Sequence, residues 1–183
     1  FSNFGIAYSC RIIDIPATTG YGEPIQRLFK LKDGERIIQA LSLDARILPK
    51  IALPSKRSKA TEPPNHGMAI SSDGYSLRFG LEPFVESSTR AGRRFARPAQ
   101  GAEIVDVAVV DGSETIIAAT RQARAMLCAA REINFLSGPG KGVILIKLKK
   151  GEDQVLGFIA SRGDRELLTV ETSRGSAQTI STA

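Results

Sequence analysis

Ala69-Ile70-Ser71-Ser72-Asp73-Gly74-Tyr75-Ser76-Leu77-Arg78-Phe79 reads as two strands about a tight turn: an apolar run, a polar turn with a small residue, then an alternating run. The same text occurs three more times. Phe1-Ser2-Asn3-Phe4-Gly5-Ile6-Ala7-Tyr8-Ser9 is one copy, and Ile116-Ile117-Ala118-Ala119-Thr120-Arg121-Gln122-Ala123-Arg124-Ala125-Met126-Leu127 is another. Leu167-Leu168-Thr169-Val170-Glu171-Thr172-Ser173-Arg174-Gly175-Ser176-Ala177 opens a fourth. Gly74 and Ala123 are 49 positions apart, and Ala123 and Gly175 are 52 apart. A repeat near 50 residues points to a propeller or a similar array. It turns the search for function from a catalytic pocket to a surface.

The order of features after each turn repeats as well. In the third unit a Gly-rich loop, Ser137 to Gly142, is followed by Val143 to Leu148, then Gly151-Glu152-Asp153, then Val155 to Ala160. The first unit has Thr19 to Pro24, Ile25 to Leu31, Asp33-Gly34-Glu35, and Ile37 to Leu43; the second has Ala91 to Arg94, Gln100 to Glu103, and Ile104 to Val110. Four short strands separated by turn signals make a blade, so the fold class is all-β and propeller-like. The units are expected at 1–44, 67–111 and 112–162, with a partial fourth at 163–183, in one domain. The one helical candidate, Ala129 to Asn134, is too short for more than a turn. The first residue lies inside a strand-like pattern and the last lies mid-unit, so the chain is expected to be a piece of something longer.

An irregular insert, residues 45–66, separates the first two units. It carries Pro49, Pro54, Pro63 and Pro64, the basic residues Arg46, Lys50, Lys56, Arg57 and Lys59, and one acid, Glu62. Proline removes backbone donors, so the insert cannot be an interior strand throughout. It reads either as a solvated loop or as a basic arm.

At 183 residues the chain can bury a core as one domain. It has no Trp and few aromatics, so Val, Ile, Leu and Ala are expected to fill the blade interfaces. A formal charge of +6 and a pI near 9.6 favour polyanionic partners. Cys10 and Cys128 lie in apolar runs without metal-ligand neighbours, and read as small buried hydrophobes in a reducing compartment. His66, beside Pro63-Pro64, reads as a bystander in a loop. No run approaches the roughly 18 apolar residues of a membrane span, and no signal-peptide pattern opens the chain.

No catalytic constellation is legible, and no metal site. One histidine and no clustered acids argue against an enzyme, which a turnover screen could still reveal. Gly138-Pro139-Gly140-Lys141-Gly142 lacks the spacing of a nucleotide-binding phosphate loop and reads as a turn needing positive φ, with Lys141 at most a point charge for a phosphate. The main charged cluster is Arg90-Ala91-Gly92-Arg93-Arg94-Phe95-Ala96-Arg97, four arginines in eight residues with no acid. Its planar forks suit phosphate oxygens. It occupies the same inter-strand loop as Gly138 to Gly142 and Gly20 to Glu23, so equivalent loops would form a curved positive track for a polyanion. Arg121 and Arg124 flank the third turn and extend it. The candidate phosphate contacts are Arg90, Arg93, Arg94 and Arg97, then Arg121, Arg124 and Lys141, then Lys56, Arg57 and Lys59.

The repeats resemble the C-terminal domain of the A-type chain of bacterial type IIA topoisomerases, DNA gyrase and topoisomerase IV. Phe1-Ser2-Asn3-Phe4-Gly5-Ile6-Ala7-Tyr8 is similar to that family's F-x-N-x-G-x-x-Y strand and turn. Ile15-Pro16-Ala17 with Gly22-Glu23-Pro24-Ile25 and Leu28 to Leu31 is similar to its IP…GxPI…LLxL stretch, which Asp33-Gly34-Glu35-Arg36-Ile37 continues. Gly140-Lys141-Gly142-Val143 with Ile146-Lys147-Leu148 resembles its GxxGVxxIKL segment. The resemblance implies a β-pinwheel, a disc whose blades exchange strands, with double-stranded DNA bent around a basic edge and delivered to the enzyme's gate. It implies no chemistry and no cofactor in this domain, a bacterial cytoplasmic location at the nucleoid, and partnership with the rest of the A-type chain and with the ATPase-bearing B-type subunit. No QRRGGRG-type box occurs within residues 1–183; either it lies upstream of Phe1, in a further blade, or it is lacking, and the second alternative tilts the resemblance toward topoisomerase IV. Two rival classes are a protein-docking propeller, with salt-tolerant partners and little affinity for DNA, and a propeller enzyme with a site on its axis.

Overall fold

The computed structural model describes residues 1–44, 46–48, 65–149, 151–163 and 167–181. Lys56, Arg57 and Lys59, with most of the 45–66 insert, lie outside the described residues. Among the described residues twelve strands occur in chain order: β1 (Ile6–Ala7), β2 (His66–Ser71), β3 (Tyr75–Phe79), β4 (Arg93–Arg94), β5 (Ile104–Val110), β6 (Thr115–Thr120), β7 (Ala125–Ala129), β8 (Phe135–Leu136), β9 (Val143–Ile144), β10 (Val155–Ser161), β11 (Leu168–Glu171) and β12 (Ala177–Ile180). Among the described residues there is no α-helix. The expected turn after β7 is a 3-10 turn at Ala130–Glu132.

The repeated turns are one structure. Gly5, Gly74, Ala123 and Gly175 all have positive φ, at 76, 85, 56 and 79°. Each donates its amide to the carbonyl three residues back: Ser2, Ser71, Thr120 and Thr172, at 2.9 to 3.1 Å. This left-handed position favours glycine, and Ala123 holds it with a Cβ. The turns join β2 to β3, β6 to β7 and β11 to β12 as antiparallel hairpins. The last strand of a unit then returns to its first. β5 pairs with β2, β10 pairs with β6, and a single bridge joins Ser2 to Ile37 in the first unit.

Units are joined by strand exchange. β1 of the first unit pairs antiparallel with β4 of the second, Ile6 opposite Arg94. β3 of the second pairs in the same way with β9 of the third, Tyr75 opposite Ile144. β3 also pairs in parallel with β8. The hairpin glycine is the anchor. The Gly5 carbonyl accepts the amides of Phe95 and Ala96 at 2.9 and 3.2 Å, and the Gly74 carbonyl accepts those of Leu145 and Ile146 at the same distances. Backbones approach so closely that a Cβ on Gly5 or Gly74 would collide with the carbonyl oxygen of Ala96 or Ile146.

The core lies at the junctions. Ala7, Leu77, Phe79, Leu81, Phe84 and Phe95 pack between the first two units; Met68, Ile70, Val110, Ile116, Ile133 and Phe158 pack between the second and third. Strand alternation makes this possible, because Ala69 faces one junction while Met68 and Ile70 face the other. Aliphatic side chains fill most of both junctions, as expected, and phenylalanines join them at the first. The Phe95 ring lies 5.2 Å from Phe1 and 5.0 Å from Phe79.

Four expectations need correction. His66 is the first residue of β2, buried 5.7 Å from the Phe135 ring and 3.1 Å from the Arg78 guanidinium. Cys10 is exposed, because β1 ends at Ala7 and the chain leaves the sheet there. Cys128 is only half-buried, on β7 at the edge of its sheet; burial pushes its thiol up to about 11. In the first unit Ile25–Arg27 is a 3-10 turn and Leu28 to Leu31 forms no strand: the Leu28 and Phe29 amides turn back to the Ile25 carbonyl, and only the Lys30 amide reaches the next unit, at Arg90.

Candidate nucleic-acid interface

Arg93 and Arg94 form β4, whose pairing with β1 fixes their backbone at the seam between the first two units. Both side chains are exposed and reach carbonyls: Arg94 Nη1 donates to Phe4 at 3.3 Å, and Arg93 Nη1 donates to Pro83. Arg90 Nη2 donates to the Gln26 and Arg27 carbonyls at 3.4 and 3.3 Å, again in the first unit. A guanidinium has five N–H donors, so these bonds hold each fork in place and leave donors for a ligand. Arg97 is exposed and its side chain has no hydrogen-bond or ion-pair partner among the described residues. None of the four is salt-bridged among the described residues, so their charge is uncompensated.

Contacts between loops extend the cluster. The Arg97 amide donates to the Gly140 carbonyl at 2.8 Å, and Ala96 bridges Gly140 in parallel. That brings the arginine loop against the loop holding Lys141. The Lys141 ammonium sits 3.5 Å over the Tyr75 ring and 3.5 Å from Asp73 Oδ2. Burial lowers its pKa, but Tyr75 and Asp73 together outweigh this and hold it above the usual lysine value. As expected for this loop, Gly142 has positive φ, 87°. Lys141 and Arg121 line one cleft of about 580 Å³, together with Asp73, Tyr75, Gln100 and Asp153.

The two arginines of the third turn differ. Arg121 is exposed and its side chain has no partner among the described residues. Arg124 Nη1 donates to the Lys147 carbonyl at 3.0 Å and lies 4.0 Å from Asp153 Oδ2. Asp153 is pushed up by burial, but the Thr120 hydroxyl and the amides of Gln122 and Gln154 outweigh this and hold it below the usual carboxylate value. The structure thus joins Arg90, Arg93, Arg94, Arg97, Lys141 and Arg121 through adjoining loops and sets Arg124 against its own unit.

Sequence reasoning passed over two cations, Lys30 and Lys147. The Lys30 amide donates to the Arg90 carbonyl at 2.7 Å, as the Arg97 amide does to Gly140. The signal was present: Leu28-Phe29-Lys30-Leu31-Lys32-Asp33-Gly34-Glu35 and Leu145-Ile146-Lys147-Leu148-Lys149-Lys150-Gly151-Glu152 run in parallel. No group of three metal-ligating side chains occurs among the described residues. The arrangement can hold a polyanion by charge and guanidinium geometry.

The family described as "DNA gyrase C-terminal domain, beta-propeller" matches residues 1–44, 68–111 and 114–162. The A-type chain of DNA gyrase from Aminobacterium colombiense is 27% identical over 158 residues, covering 86% of this chain and 17% of that protein. Three solved structures share the fold. The C-terminal domain of DNA topoisomerase IV aligns with a TM-score of 0.82 at 18% identity, over 100% of this chain and 52% of that one. The E. coli ParC C-terminal domain gives 0.73 at 20%, over 99% and 67%. The DNA gyrase A C-terminal domain gives 0.66 at 20%, over 99% and 53%. With strands exchanged between successive units, the architecture is an all-β pinwheel, as expected.

Proposed function

Because this chain belongs to the DNA gyrase C-terminal domain family of beta-propellers, we propose that it binds double-stranded DNA along its basic edge without reading sequence. The observation that carries this reading is the run Arg90, Arg93, Arg94 and Arg97. These are exposed cations without salt bridges among the described residues, continued by contact toward Lys141 and Arg121. Three of the four are held by carbonyls, so their forks are fixed in place and little side-chain entropy remains to be lost on a phosphate. Contacts of this kind position a duplex and bend it, while sequence preference comes only from its deformability. In the full protein the domain passes a DNA segment to the strand-passage gate of a type IIA topoisomerase, working with the rest of the A-type chain and with the ATPase-bearing partner. Topoisomerase IV is the parent proposed, with DNA gyrase as the alternative.

The test is binding of a labelled duplex of about 40 base pairs across a salt series, where log K is expected to fall by about 0.9 per phosphate neutralised. Unrelated duplexes should compete equally. No binding at low salt would overturn the proposal in favour of a protein-docking role. One observation supports that second reading: Ile12 and Ile13 are 78% and 84% exposed on the 3-10 turn Ile12–Asp14, with Ile15 and Tyr21 exposed after it.

A further inference from the structure

We propose that Lys30, Arg97 and Lys147 form a row of equivalent phosphate contacts, one from each of the first three blades. This rests on the DNA-binding reading above and deepens it. Parallel text groups Lys30 with Lys147; the backbone adds Arg97. Arg97 and Lys147 each follow the residue, Ala96 or Ile146, whose amide donates at 3.2 Å to a hairpin glycine. Lys30 and Arg97 each donate their own amide to the same place in the next blade, the carbonyls of Arg90 and Gly140, at 2.7 and 2.8 Å. Arg90 and Gly140 stand two residues before Gly92 and Gly142, the matching glycines of the two receiving loops. The residue preceding each cation is buried in all three blades: Phe29 at 6%, Ala96 at 0% and Ile146 at 5% exposure. Arg97 has both of these anchors, Lys30 the one to the next blade and Lys147 the one to the hairpin glycine; with the preceding side chain turned inward in all three, the cation points outward.

The state of these side chains separates them from the other candidates except Arg121, which is also uncommitted but lies on the hairpin turn of its own unit. Lys30, Arg97 and Lys147 are exposed, and none has a side-chain hydrogen bond or ion pair among the described residues. Arg90, Arg93, Arg94, Arg124 and Lys141 all spend donors on the protein. An uncommitted cation at one fixed position per repeat adds nothing to folding. It presents charge at the step of the blades, which matches a backbone whose phosphates also recur at a fixed step.

The test uses the chain as it stands, the duplex of the preceding section, and four variants: Lys30→Gln, Arg97→Gln, Lys147→Gln, and all three together. A control, Arg11→Gln with Arg36→Gln and Arg46→Gln, removes equal charge from side chains paired with Asp14, Glu103 and Asp44. Each single variant is expected to lower the salt slope by about 0.9, and the triple by about three times that, while the control keeps the wild-type slope. If the triple and the control lose affinity equally, the row is only net charge and the proposal fails. If one residue accounts for the whole loss, the repeat equivalence fails. If the wild type does not bind at low salt, the DNA-binding reading itself is at fault, and with it this inference.

Discussion

The amide of Ile146 donates to the carbonyl of Gly74 across 3.2 Å, and the carbonyl of Ile146 faces the Gly74 Cα so closely that any Cβ would collide with it. Gly74 therefore meets two demands at once, positive φ and backbone-to-backbone approach. Gly74→Ala is expected to destabilise the chain by about 3 kcal/mol, the left-handed cost plus loss of the exchange contact. Urea unfolding measures it. A loss below about 1 kcal/mol would mean that the junction relaxes around a methyl group.

Ala123 gives the opposite sign. It holds φ 56° where the other three turns have glycine. Ala123→Gly should raise stability by about 0.5–1 kcal/mol, because relief of the left-handed penalty exceeds the entropy cost of glycine. The same urea series checks it, and a destabilised variant would show that the Ala123 methyl group packs usefully.

The hairpins and their period are legible in the sequence because a two-residue alternation about a turn residue is a local signal, and four copies set the frame. Even Ala123 finds its place by alignment with Gly74. His66 is not legible, since its burial depends on β5 and on Arg78 across the hairpin, both distant in sequence. Cys10 misleads for a related reason: a short apolar run does not say where its strand stops. At the candidate interface, charge density exposes the Arg90 to Arg97 cluster. Lys30 and Lys147 stand in mixed text whose parallel runs carry no charge signal, and the backbone relates each to Arg97: Lys30 by its amide bond to the next blade, Lys147 by the Ile146 amide on a hairpin glycine.

Arg93→Ala with Arg94→Ala tests whether the β4 arginines meet phosphate or only hold the seam. Each spends a donor on a carbonyl, Pro83 or Phe4. If they meet phosphate, binding weakens for all duplex sequences alike and the salt slope drops by about 1.8. Unchanged affinity at low salt, with lower stability to urea, would reduce them to structural staples.

Glu114 is a buried carboxylate, its side chain 1% exposed. It accepts from the Asp111 and Gly112 amides and from Arg162 Nε and Nη2, the last two at 3.1 and 2.9 Å. Arg162→Ala removes its cationic partner while two amides still hold it inside. The expected loss is about 2 kcal/mol, less than for a fully buried pair because Arg162 is partly solvated. Adding Glu114→Gln should recover part of this, and no recovery would show that Arg162 acts through packing rather than charge.

Tyr8 gives a prediction for alkaline pH. Its hydroxyl donates to Glu35 Oε1 at 2.9 Å, and Glu35 is otherwise held by the Ser2 hydroxyl at 2.6 Å and the Lys32 amide at 3.0 Å. Burial, then the Glu35 carboxylate, push the phenol up to about 12 from an ordinary value of 10.0. The folded chain thus keeps this proton where the unfolded chain has lost it. The stabilisation is fully present below pH 10, falls as pH rises toward 12, and is gone above it. Stability measured at pH 9, 10 and 11 should decline across this window. Tyr8→Phe, which loses about 1 kcal/mol at neutral pH with the hydrogen bond, should flatten the decline. An equally steep decline in Tyr8→Phe would place the alkaline transition on other groups, and would mean that the Tyr8–Glu35 bond carries little of the first blade's stability.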